Sequence, residues 1–497
     1  MPRMVAPGVL DGQGQYRVIG PPMRPIPPES LVALLGRWSA GRGPLYLLLA
    51  TRLRQLIADG ELPDQHLLPP DRTLAAALAV GRGTVVAAYD VLRQEGRLVR
   101  TRGSGTRVCA EAPDPGTSGT ATANPLFLHL LDRPGDGVLQ LACAGPDALP
   151  PELVAAHHTA LDHLSRMSSA GLGYHPAGVP ELRTALAARY TAQGVPTTQD
   201  QILVTTGGQQ ALALLARLLV APGDRVLTET PTYPGAVEVF RDAVAAIRTV
   251  RVAEHGLDVD AFAAAMTRER PALAYVTASF HNPTGTCVHT LARRRLARVA
   301  ERSGTPLVDD EVLAPLGFTD QPPPIAAFAT ADEVVTIGSL SKLVWGGIRI
   351  GWVRAAPAMI TRLARLKATH DLGGDVLAQL SAAHLLPQLD ELRRRRVAAL
   401  RERHDHLRGE LARVLPEWEV TSAQGGQTLW VRLPGTDTES FAQTALRHGV
   451  AVVPGSAFDP GRGHREHVRI PYLADPATLG DAVERLASAW RQGAAVR

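Results

Sequence analysis

Only two of the 52 basic side chains in this sequence are lysines, Lys342 and Lys367. Arginine stays protonated at ordinary pH, so it cannot act as an amine nucleophile. A lysine can lose its proton and form a Schiff base with an aldehyde. Lys342 lies in "SLSKLVWGGIRIGWV", between serines and a Gly-Gly-x-Arg, and we predict covalent chemistry for it. For Lys367, which stands between apolar residues of a helical pattern, a surface lysine retained by chance is the simpler interpretation.

An aldehyde cofactor needs several separate binding groups, and the sequence offers one for each. The usual aldehyde partner of a lysine in metabolism is pyridoxal phosphate, whose phosphate suits the N–H groups at a helix start. A buried carboxylate keeps its pyridine nitrogen protonated. The candidates are Gly207, Gly208 and Gln209 in "VTTGGQQALALLARLL", Asp309 or Asp310 in "PLVDDEV", Asn282 in "SFHNPTGT" for the ring oxygen, and Tyr233 in "ETPTYPG" as an aromatic cover. Each fragment alone is weak, because a Gly-Gly pair is usually only a turn and an Asp-Asp pair a solvated loop or a metal site.

The elements that must position these groups alternate along the chain. From about residue 136 onwards, the strand-like runs "QILVTT", "DRVLTE", "ALAYVTAS", "TPLVDDE" and "VVTIGS" are separated by helical stretches. This alternation predicts an α/β domain with a mostly parallel sheet covered by helices.

The first part of the chain has a different composition. Residues 1–110 hold 14 arginines against 8 acidic residues, whereas the remainder holds 38 basic against 40 acidic residues. Such a basic front suggests a polyanionic partner. Three helical patterns followed by two strands around a Gly-Ser-Gly turn, "RLVRTRGSGTRV", predict a winged helix-turn-helix, a mainly α domain.

In a winged helix-turn-helix the third helix enters the major groove with its N-terminal end first. The residues at that entry are Arg82, Gly83 and Thr84. Arg72, near the start of the preceding helix, could reach the flanking backbone or a base, and the hairpin carries three arginines positioned for phosphates or the minor groove, Arg100, Arg102 and Arg107. Any small three-helix bundle shows similar spacing. Helix periodicity alone therefore favours a DNA-binding domain and an ordinary three-helix bundle equally.

Composition also predicts the boundaries and the location of the protein. Residues 1–30 are expected to be poorly ordered, 31–108 to form the winged domain, 109–135 a flexible linker, and 136–497 the α/β domain with a small subdomain at roughly 386–497. The three cysteines lie far apart, which argues against a disulfide framework and against a zinc site. With no signal-peptide core and no apolar run long enough for a bilayer, we predict a cytoplasmic protein without a membrane partner.

The order of residues from Pro44 to Val108 closely resembles the DNA-binding domain of the GntR family of bacterial regulators. The resemblance implies double-stranded DNA as the partner. The family usually has serine where Gly81 stands, so one helix-capping hydroxyl is missing in this chain.

Residues 136–497 resemble the fold-type I pyridoxal phosphate enzymes of the aspartate aminotransferase kind, with large and small subdomains. The motifs above, "GYHPAGVPELRTALAARY", the lysine motif and "HVRIPYLA" all fall in that family's order. The resemblance implies pyridoxal 5'-phosphate as cofactor, with a Schiff base at Lys342 and the pyridinium paired with Asp310 in preference to Asp309. It also implies that Asn282 bonds the ring oxygen, that Tyr233 stacks on the ring and that Arg469 clamps the α-carboxylate of an amino-acid ligand. The residues implied for the phosphate are Gly207, Gly208, Gln209, Ser339, Ser341 and Arg349. Relatives carry a tyrosine two or three residues after the aspartate, whereas this chain has Val312 and Leu313, so the ring oxygen loses a donor.

The two halves together resemble the MocR class of bacterial transcription regulators. The resemblance implies a regulator that senses pyridoxal phosphate, with an amino-acid or amine ligand, and a head-to-tail homodimer with swapped DNA-binding domains. The arginine-rich run from Glu391 to Arg408 is either a solvated helix face or a DNA contact. Two alternatives stay open: a catalytically active aminotransferase with an appended DNA-binding domain, and a relic large domain that only dimerises the DNA-binding heads.

Overall fold

The computed structural model describes residues 8–10, 16–18, 25–39, 44–101, 105–109, 137–146, 148–166, 172–253 and 256–494. The chain divides into two compact units, Met1–Gly137 and Val138–Arg497. Apart from Cys109, the predicted linker lies outside the described residues, as does Arg102 on the predicted wing.

The first unit combines short helices with a small wing. Its elements are β1 (Gly8–Leu10), β2 (Tyr16–Val18), α1 (Pro28–Leu35), α2 (Leu45–Ala58), β3 (Leu67–Leu68), α3 (Asp71–Ala77), α4 (Arg82–Gln94), β4 (Leu98–Thr101) and β5 (Gly105–Val108). Strands β1 and β2 form a hairpin inside the segment that was expected to be poorly ordered. The wing is a sheet of order β3-β5-β4.

The helices of the first unit bury the apolar stripes that their periodicity predicts. Leu49 and Leu53 of α2, Leu74 of α3 and Leu92 of α4 have no exposed surface. Helix α3 meets α4 at a bend of 119°, which lies in the range of helix-turn-helix motifs. The predicted winged helix-turn-helix fold is confirmed.

Membrane-spanning elements were sought among the described helices only. No single one is long and apolar enough to cross a bilayer, and α3 and α4 meet that criterion only when taken together as a bent pair.

The second unit alternates strands and helices. Its elements are β6 (Leu139–Leu141), α5 (Pro151–Arg166), α6 (Pro180–Ala192), β7 (Ile202–Thr205), α7 (Gly208–Leu219), β8 (Arg225–Thr230), α8 (Pro234–Asp242), β9 (Ala246–Ala253), β10 (Gly256–Leu257), α9 (Val259–Glu269), β11 (Leu273–Val276), α10 (Thr290–Ser303), β12 (Leu307–Asp310), β13 (Val334–Ser339), β14 (Gly351–Arg354), α11 (Pro357–Asp371), α12 (Val376–Leu385), α13 (Leu389–Val414), β15 (Glu419–Val420), β16 (Thr428–Arg432), α14 (Thr438–Arg447), β17 (Val450–Pro454), β18 (His467–Pro471) and α15 (Pro476–Ala494).

The large sheet of the second unit has the order β10-β9-β8-β11-β12-β13-β14-β7. Strands β9, β8, β11, β12 and β13 are parallel to their neighbours in this series. The prediction of a mostly parallel sheet is therefore confirmed. Because helices cover both faces of such a sheet, its strands read as continuous apolar runs, and all six residues of β13 are buried.

A second sheet, of order β15-β16-β18-β17-β6, belongs to the C-terminal part of the unit. Its edge strand β6 comes from the beginning of the unit and pairs in parallel with β17. The sheet at the C-terminal end therefore also contains residues 139–141, far from it in sequence.

The strand directions gather the candidate site residues at one edge of the large sheet. Strand β14 is antiparallel both to β13 and to β7, so β7 runs in the direction of β8, β11, β12 and β13. The carboxyl ends of all five strands lie at the same edge, where open α/β sheets bind ligands. The candidate groups that end or follow these strands are Gly207 and Gly208, Tyr233, Asn282, Asp310, and Ser339 to Lys342.

Candidate functional site

The amine of Lys342 is desolvated within the second unit. Its Nζ donates a hydrogen bond to the carbonyl oxygen of Ala144 at 2.5 Å, and the amide of Gln427 donates to the main-chain oxygen of Lys342 at 3.2 Å. Desolvation, followed by the nearby charge of Arg469, lowers the pKa of Lys342 to about 8, although Cys143 and Asp310 act to raise it. A neutral amine, the form that a nucleophile needs, is therefore accessible near neutral pH.

The register of β11 and β12 distinguishes Asp310 from Asp309. Tyr275 pairs with Val308, and because side chains alternate along a strand, Asp310 lies on the same face as Tyr275. The hydroxyl of Tyr275 donates to Asp310 Oδ2 at 2.6 Å. Asp309 faces the opposite side of the sheet, where its carboxylate accepts the N–H of Ile325 at 3.4 Å.

Asp310 also shares an electrostatic environment with the lysine. Burial raises the pKa of Asp310, while hydrogen bonds from Tyr275 and the N–H of Val312 and the charge of Lys342 act to lower it. Of the two neighbouring aspartates, Asp310 is the one on the side of Lys342.

The start of helix α7 forms a tight cradle. Gly207 has a φ of +114°, and a Cβ there would lie 2.9 Å from Arg349 Nη2, while one on Gly208 would lie 3.1 Å from Val312 Cγ2. The guanidinium of Arg349 donates to the carbonyl of Thr206. The cradle thus combines main-chain N–H groups of a helix start with one arginine, a donor set that suits a phosphate.

Two serines lie beside this cradle on the next strands of the sheet. Ser339 pairs with Gly351, which pairs in turn with Thr205. The hydroxyl of Ser339 donates to the carbonyl of Ile350 at 3.0 Å and lies 3.0 Å from Ser341 Oγ, which can donate to it. Ser339 therefore lies two strands from Thr205 in the same sheet, with Gly351 between them, and Ser341 follows it at the same edge of the sheet.

Tyr233 and Gln209 form a hydrogen-bonded pair. The hydroxyl of Tyr233 donates to Gln209 Oε1 at 3.0 Å, and Gln209 Nε2 donates to the carbonyl of Gly235 at 3.0 Å. Burial, then the charge of Asp310, raises the pKa of Tyr233 to about 12, while Arg469 and Arg349 act to lower it. The charges of Asp310, Arg469 and Arg349 thus all act on the Tyr233 hydroxyl.

Arg469 is a buried guanidinium, with 2% of its surface exposed. Its Nη2 donates to the carbonyl of Ala142, it lies 5.1 Å from the ring centroid of Phe458, and its Nε has no hydrogen-bond partner among the described residues. Burial lowers its pKa to about 10. No acidic side chain of the described residues forms an ion pair with it, so a carboxylate brought by a ligand would supply the missing partner.

Asn282 lies in the loop after β11. Its side-chain oxygen is buried and has no hydrogen-bond partner among the described residues. Because the oxygen and nitrogen of an amide are assigned from their partners, this side chain can present either group to a ligand.

Sequence reasoning missed several residues that shape the site. Tyr275, Thr206 and the carbonyl groups of Ala142 and Ala144 all contact candidate residues directly. Tyr275 could have been found only from the strand order, since it lies 35 residues before Asp310. Main-chain carbonyl contacts leave no signal in the residue types.

The interpretation of Lys367 as a surface lysine is wrong. Only 1% of its surface is exposed, and its Nζ lies 2.9 Å from Asp371 Oδ1. Helix α11 turns the face with Ile360, Leu363 and Lys367 into the core, so the apolar neighbours that suggested a chance position instead indicate burial.

The candidate DNA interface centres on the start of α4. Gly81 is its N-cap and provides no side-chain hydrogen bond. Arg82 and Gly83 are exposed and Thr84 is half-buried, and Arg72 on α3 is exposed as well. These positions fit a helix whose first turn faces a groove.

A buried aspartate that sequence reasoning missed joins this helix to the wing. Asp71 is 6% exposed, and its Oδ2 lies 3.1 Å from Arg100 Nη2 on β4 and 3.8 Å from Arg82 Nη2 on α4. Arg107 instead donates to the carbonyl of Gln65 at 3.3 Å. The structure therefore brings Arg82 and Arg100 together, while Arg102 lies outside the described residues.

Several arginines of helix α13 have partners within their own unit. Arg395 is paired with Glu152 and Glu391, Arg394 with Glu391, and Arg403 donates to the carbonyl of Leu473. These contacts favour a solvated, ion-paired helix face over a DNA contact.

Two protein families match the chain. Residues 144–486 match the family described as aminotransferase class I and II, and residues 45–108 match bacterial regulatory proteins of the gntR family.

Full-length relatives share this arrangement. An uncharacterized HTH-type transcriptional regulator, YisV of Bacillus subtilis, is 30% identical over 90% of this chain and 96% of its own length. The probable rhizopine catabolism regulatory protein MocR of Rhizobium meliloti is 28% identical over 90% of this chain and 94% of its own length.

Solved structures resemble the second unit. The α-aminoadipate aminotransferase LysN of Thermus thermophilus, complexed with N-(5'-phosphopyridoxyl)-L-leucine, is 30% identical with a TM-score of 0.68, covering 75% of this chain and 96% of its own.

Proposed function

We propose a function from one premise: this chain belongs to the aminotransferase class I and II family and joins that domain to a gntR-family domain, as MocR-type transcription regulators do. On that premise the protein is a DNA-binding transcription regulator whose large domain binds pyridoxal phosphate and responds to an amino-acid or amine ligand. The observation that supports this most is that Lys342 and Arg469 bond the neighbouring carbonyls of Ala144 and Ala142, and that the charges of Arg469 and Asp310 both act on the Lys342 amine.

The residues present fit pyridoxal phosphate. The glycines at the start of α7 let the Arg349 guanidinium and Val312 approach the main chain, because a Cβ on either glycine would crowd them, and Ser339 ends a strand of the same sheet. Asp310 would hold the ring nitrogen, Asn282 the ring oxygen and Tyr233 the ring face. When bound, the cofactor supplies an aldehyde that bonds to a lysine amine and a ring that withdraws electrons.

The protein's own groups would perform three tasks. Lys342 would leave Ala144 and offer its neutral amine, Asp310 would hold a positive charge on the ring, and Arg469 would exchange the carbonyl of Ala142 for a ligand carboxylate. A ligand changes the protein's conformation only through its different affinity for two arrangements. Because both exchanges release contacts to one short segment, residues 142–144, occupancy of the site would favour a second arrangement of the unit.

An exposed apolar surface supports the proposed homodimer. Leu172 is 87% exposed, Tyr174 62% and Leu372 51%. A Cβ on Gly373 would lie 2.9 Å from the backbone of His175, so Leu372 and Tyr174 belong to neighbouring segments. A surface of this kind suits a two-fold partner, and two reading heads bind repeated half-sites with greater avidity. We place this dimer, head-to-tail, on DNA in the cytoplasm.

A working aminotransferase is the second candidate. The lowered pKa of Lys342 favours it, as does Arg469, whose Nε has no hydrogen-bond partner among the described residues, since a transaminase needs both a proton-accepting amine and a carboxylate clamp. Turnover of an amino acid with a keto acid would support the aminotransferase. Binding of the amino acid without turnover would support only the regulator function.

The test is a titration of the protein on its own upstream DNA, at fixed salt because salt alone shifts such affinities by orders of magnitude. We expect tight binding whose affinity or complex pattern changes with pyridoxal phosphate, and no such change in Lys342→Ala. Binding that ignores the cofactor would contradict the sensor function, and absence of specific binding would contradict the regulator.

A further inference from the structure

The second lysine of the chain is buried in the same unit as the first. Lys367 lies on α11 one and two turns after Leu363 and Ile360, in the stripe that packs into the core, and only 1% of its surface is exposed. Its ammonium bonds Asp371 at 2.9 Å, one turn further along the helix. Burying an ammonium is unfavourable unless a specific partner compensates its charge. The role of Lys367 should therefore follow from the contacts of its partner, Asp371.

A continuous chain of hydrogen bonds runs from this ion pair to the phosphate cradle. Gln210 Nε2 donates to Asp371 Oδ2 at 3.1 Å, and Gln210 Oε1 accepts the N–H of Thr206 at 2.9 Å. The carbonyl of Thr206 accepts from Arg349. Both ends of the Gln210 amide are thereby fixed, because a carboxylate can only accept and an N–H can only donate. Thr206, which Gln210 and Arg349 hold in this way, directly precedes Gly207.

A lysine suits this buried position, although arginine predominates among the basic residues of the chain. A guanidinium carries five donors in a rigid plane, and each needs a partner when buried. The ammonium is compact and sits at the end of a flexible apolar stem that packs beside Leu363. The pKa of Asp371 is lowered: burial acts to raise it, but hydrogen bonds from Lys367, Gly373 and Gln210 outweigh burial. The carboxylate therefore remains an acceptor for both side chains.

We propose that Lys367 is a positioning residue for the cofactor phosphate, acting through Asp371 and Gln210 to orient the segment Thr206–Gly208. The inference rests on the proposed binding of pyridoxal phosphate. It implies that both lysines retained by this chain serve one site, the first by bonding the aldehyde and the second by aligning the N–H groups that receive the phosphate.

The test compares two ligands that differ only in the phosphate, pyridoxal phosphate and pyridoxal, on the full-length protein. The variants are Lys367→Met, which keeps the apolar stem, and Asp371→Asn, which keeps the shape of the carboxylate. Arg189→Met is the matched control, since it removes a partly buried arginine paired with Asp390 at 2.9 Å elsewhere in the unit. Binding is read from the absorbance of the lysine-bound ligand.

We expect the two relay variants, Lys367→Met and Asp371→Asn, each to weaken binding of pyridoxal phosphate by about tenfold, the lower end of the loss seen when an outer partner of a metal ligand is removed, with binding of pyridoxal unchanged. Gln210→Leu is measured as well, and the double variant Lys367→Met/Gln210→Leu should lose no more than the larger of its two single losses, because the effects of residues in one network are not additive. The control should bind both ligands as the wild type does.

The possible outcomes distinguish failure of this inference from failure of the proposed function, the binding of pyridoxal phosphate. Equal weakening of both ligands, or additive losses in the double variant, would mean that Lys367 only stabilises the fold and would overturn the inference alone. Unchanged binding in both relay variants would do the same. A wild-type protein that binds neither ligand covalently would overturn the proposed function together with the inference.

Discussion

At the scale of single residues, the amine of Lys342 is held close to the point at which it loses its proton. An unperturbed lysine has a pKa of about 10.4, whereas desolvation and Arg469 bring that of Lys342 to about 8. Burial disfavours the charged form, and a neighbouring positive charge does so again. The same arginine that would bind a ligand carboxylate therefore also prepares the nucleophile.

The first prediction concerns pH. Only the neutral amine attacks an aldehyde, so the rate at which pyridoxal phosphate bonds to the protein should rise with pH and level off above about 8. Arg469→Gln removes a positive charge and should move this midpoint upward. Stopped-flow absorbance across pH 6 to 10 would measure it, with Arg241→Gln, a surface variant, as control. A wild-type midpoint near that of a free lysine would contradict the prediction.

The second prediction concerns the DNA-binding helix. Arg82→Ala should weaken binding to the upstream DNA by about 1–3 kcal/mol if it reads a base, or reduce the salt slope by about 1 if it contacts a phosphate. Arg54→Ala is the control, because Arg54 is held by both oxygens of Glu95 away from the start of α4. Anisotropy titrations at several salt concentrations would measure both variants. Equal effects of the two would show that Arg82 is not part of the DNA interface.

At the scale of elements, the phosphate cradle depends on two backbones in close contact. A Cβ on Gly351 of β14 would lie 2.6 Å from the carbonyl carbon of Gly207 and 2.9 Å from the nitrogen of Gly208. Backbone atoms cannot move aside as a flexible side chain can. Strand β14, which carries none of the predicted cofactor groups, thus sets the position of the helix start.

The third prediction follows from that contact. Gly351→Ala should push the cradle away from β14 and destabilise the protein by about 1–3 kcal/mol, the usual cost of overpacking, with weaker binding of pyridoxal phosphate. Gly346→Ala, five residues earlier, meets no atom within 4 Å and should change neither property. Chemical denaturation and cofactor titration would measure both, and a neutral Gly351→Ala would show that the cradle tolerates displacement.

At the scale of the whole molecule, exposed apolar side chains are not spread evenly. Leu172, Tyr174 and Leu372 belong to neighbouring segments of the second unit, whereas Leu291, 70% exposed, lies apart from them on α10. Single exposed leucines are ordinary on protein surfaces, but grouped ones indicate contact with another molecule.

The fourth prediction tests that contact. Leu172→Glu places a charge in the grouped apolar surface and should convert a dimer to a monomer, lowering DNA affinity because two linked heads bind more tightly than one. Sedimentation velocity and DNA titration would measure both effects. Leu291→Glu introduces the same charge elsewhere and should leave the dimer intact. A Leu172→Glu protein that remains dimeric would place the interface on another surface.

Much of the architecture follows from local patterns. The helices of the first unit and the strands β7, β8, β11, β12 and β13 appear where apolar periodicity predicts them, because burial of one stripe or of both faces dictates residue type. Residue types also select Lys342 and the adjacent pair Asp309 and Asp310 as candidates, and the family resemblance adds Arg469; their roles remain predictions until tested. Edge strand β6 escaped prediction, since three residues carry too little pattern.

The sequence by itself determined two domains of known kinds and singled out Lys342 as the candidate for covalent chemistry, because motifs and periodicity are local properties. Only the tertiary structure decided which of two adjacent aspartates faces that lysine, because a strand turns neighbouring side chains to opposite faces and only the packed sheet gives each face its surroundings. It also decided that Lys367 is buried and bonded through Asp371 and Gln210 to the cradle. Such contacts join residues distant in sequence, and no local pattern records them.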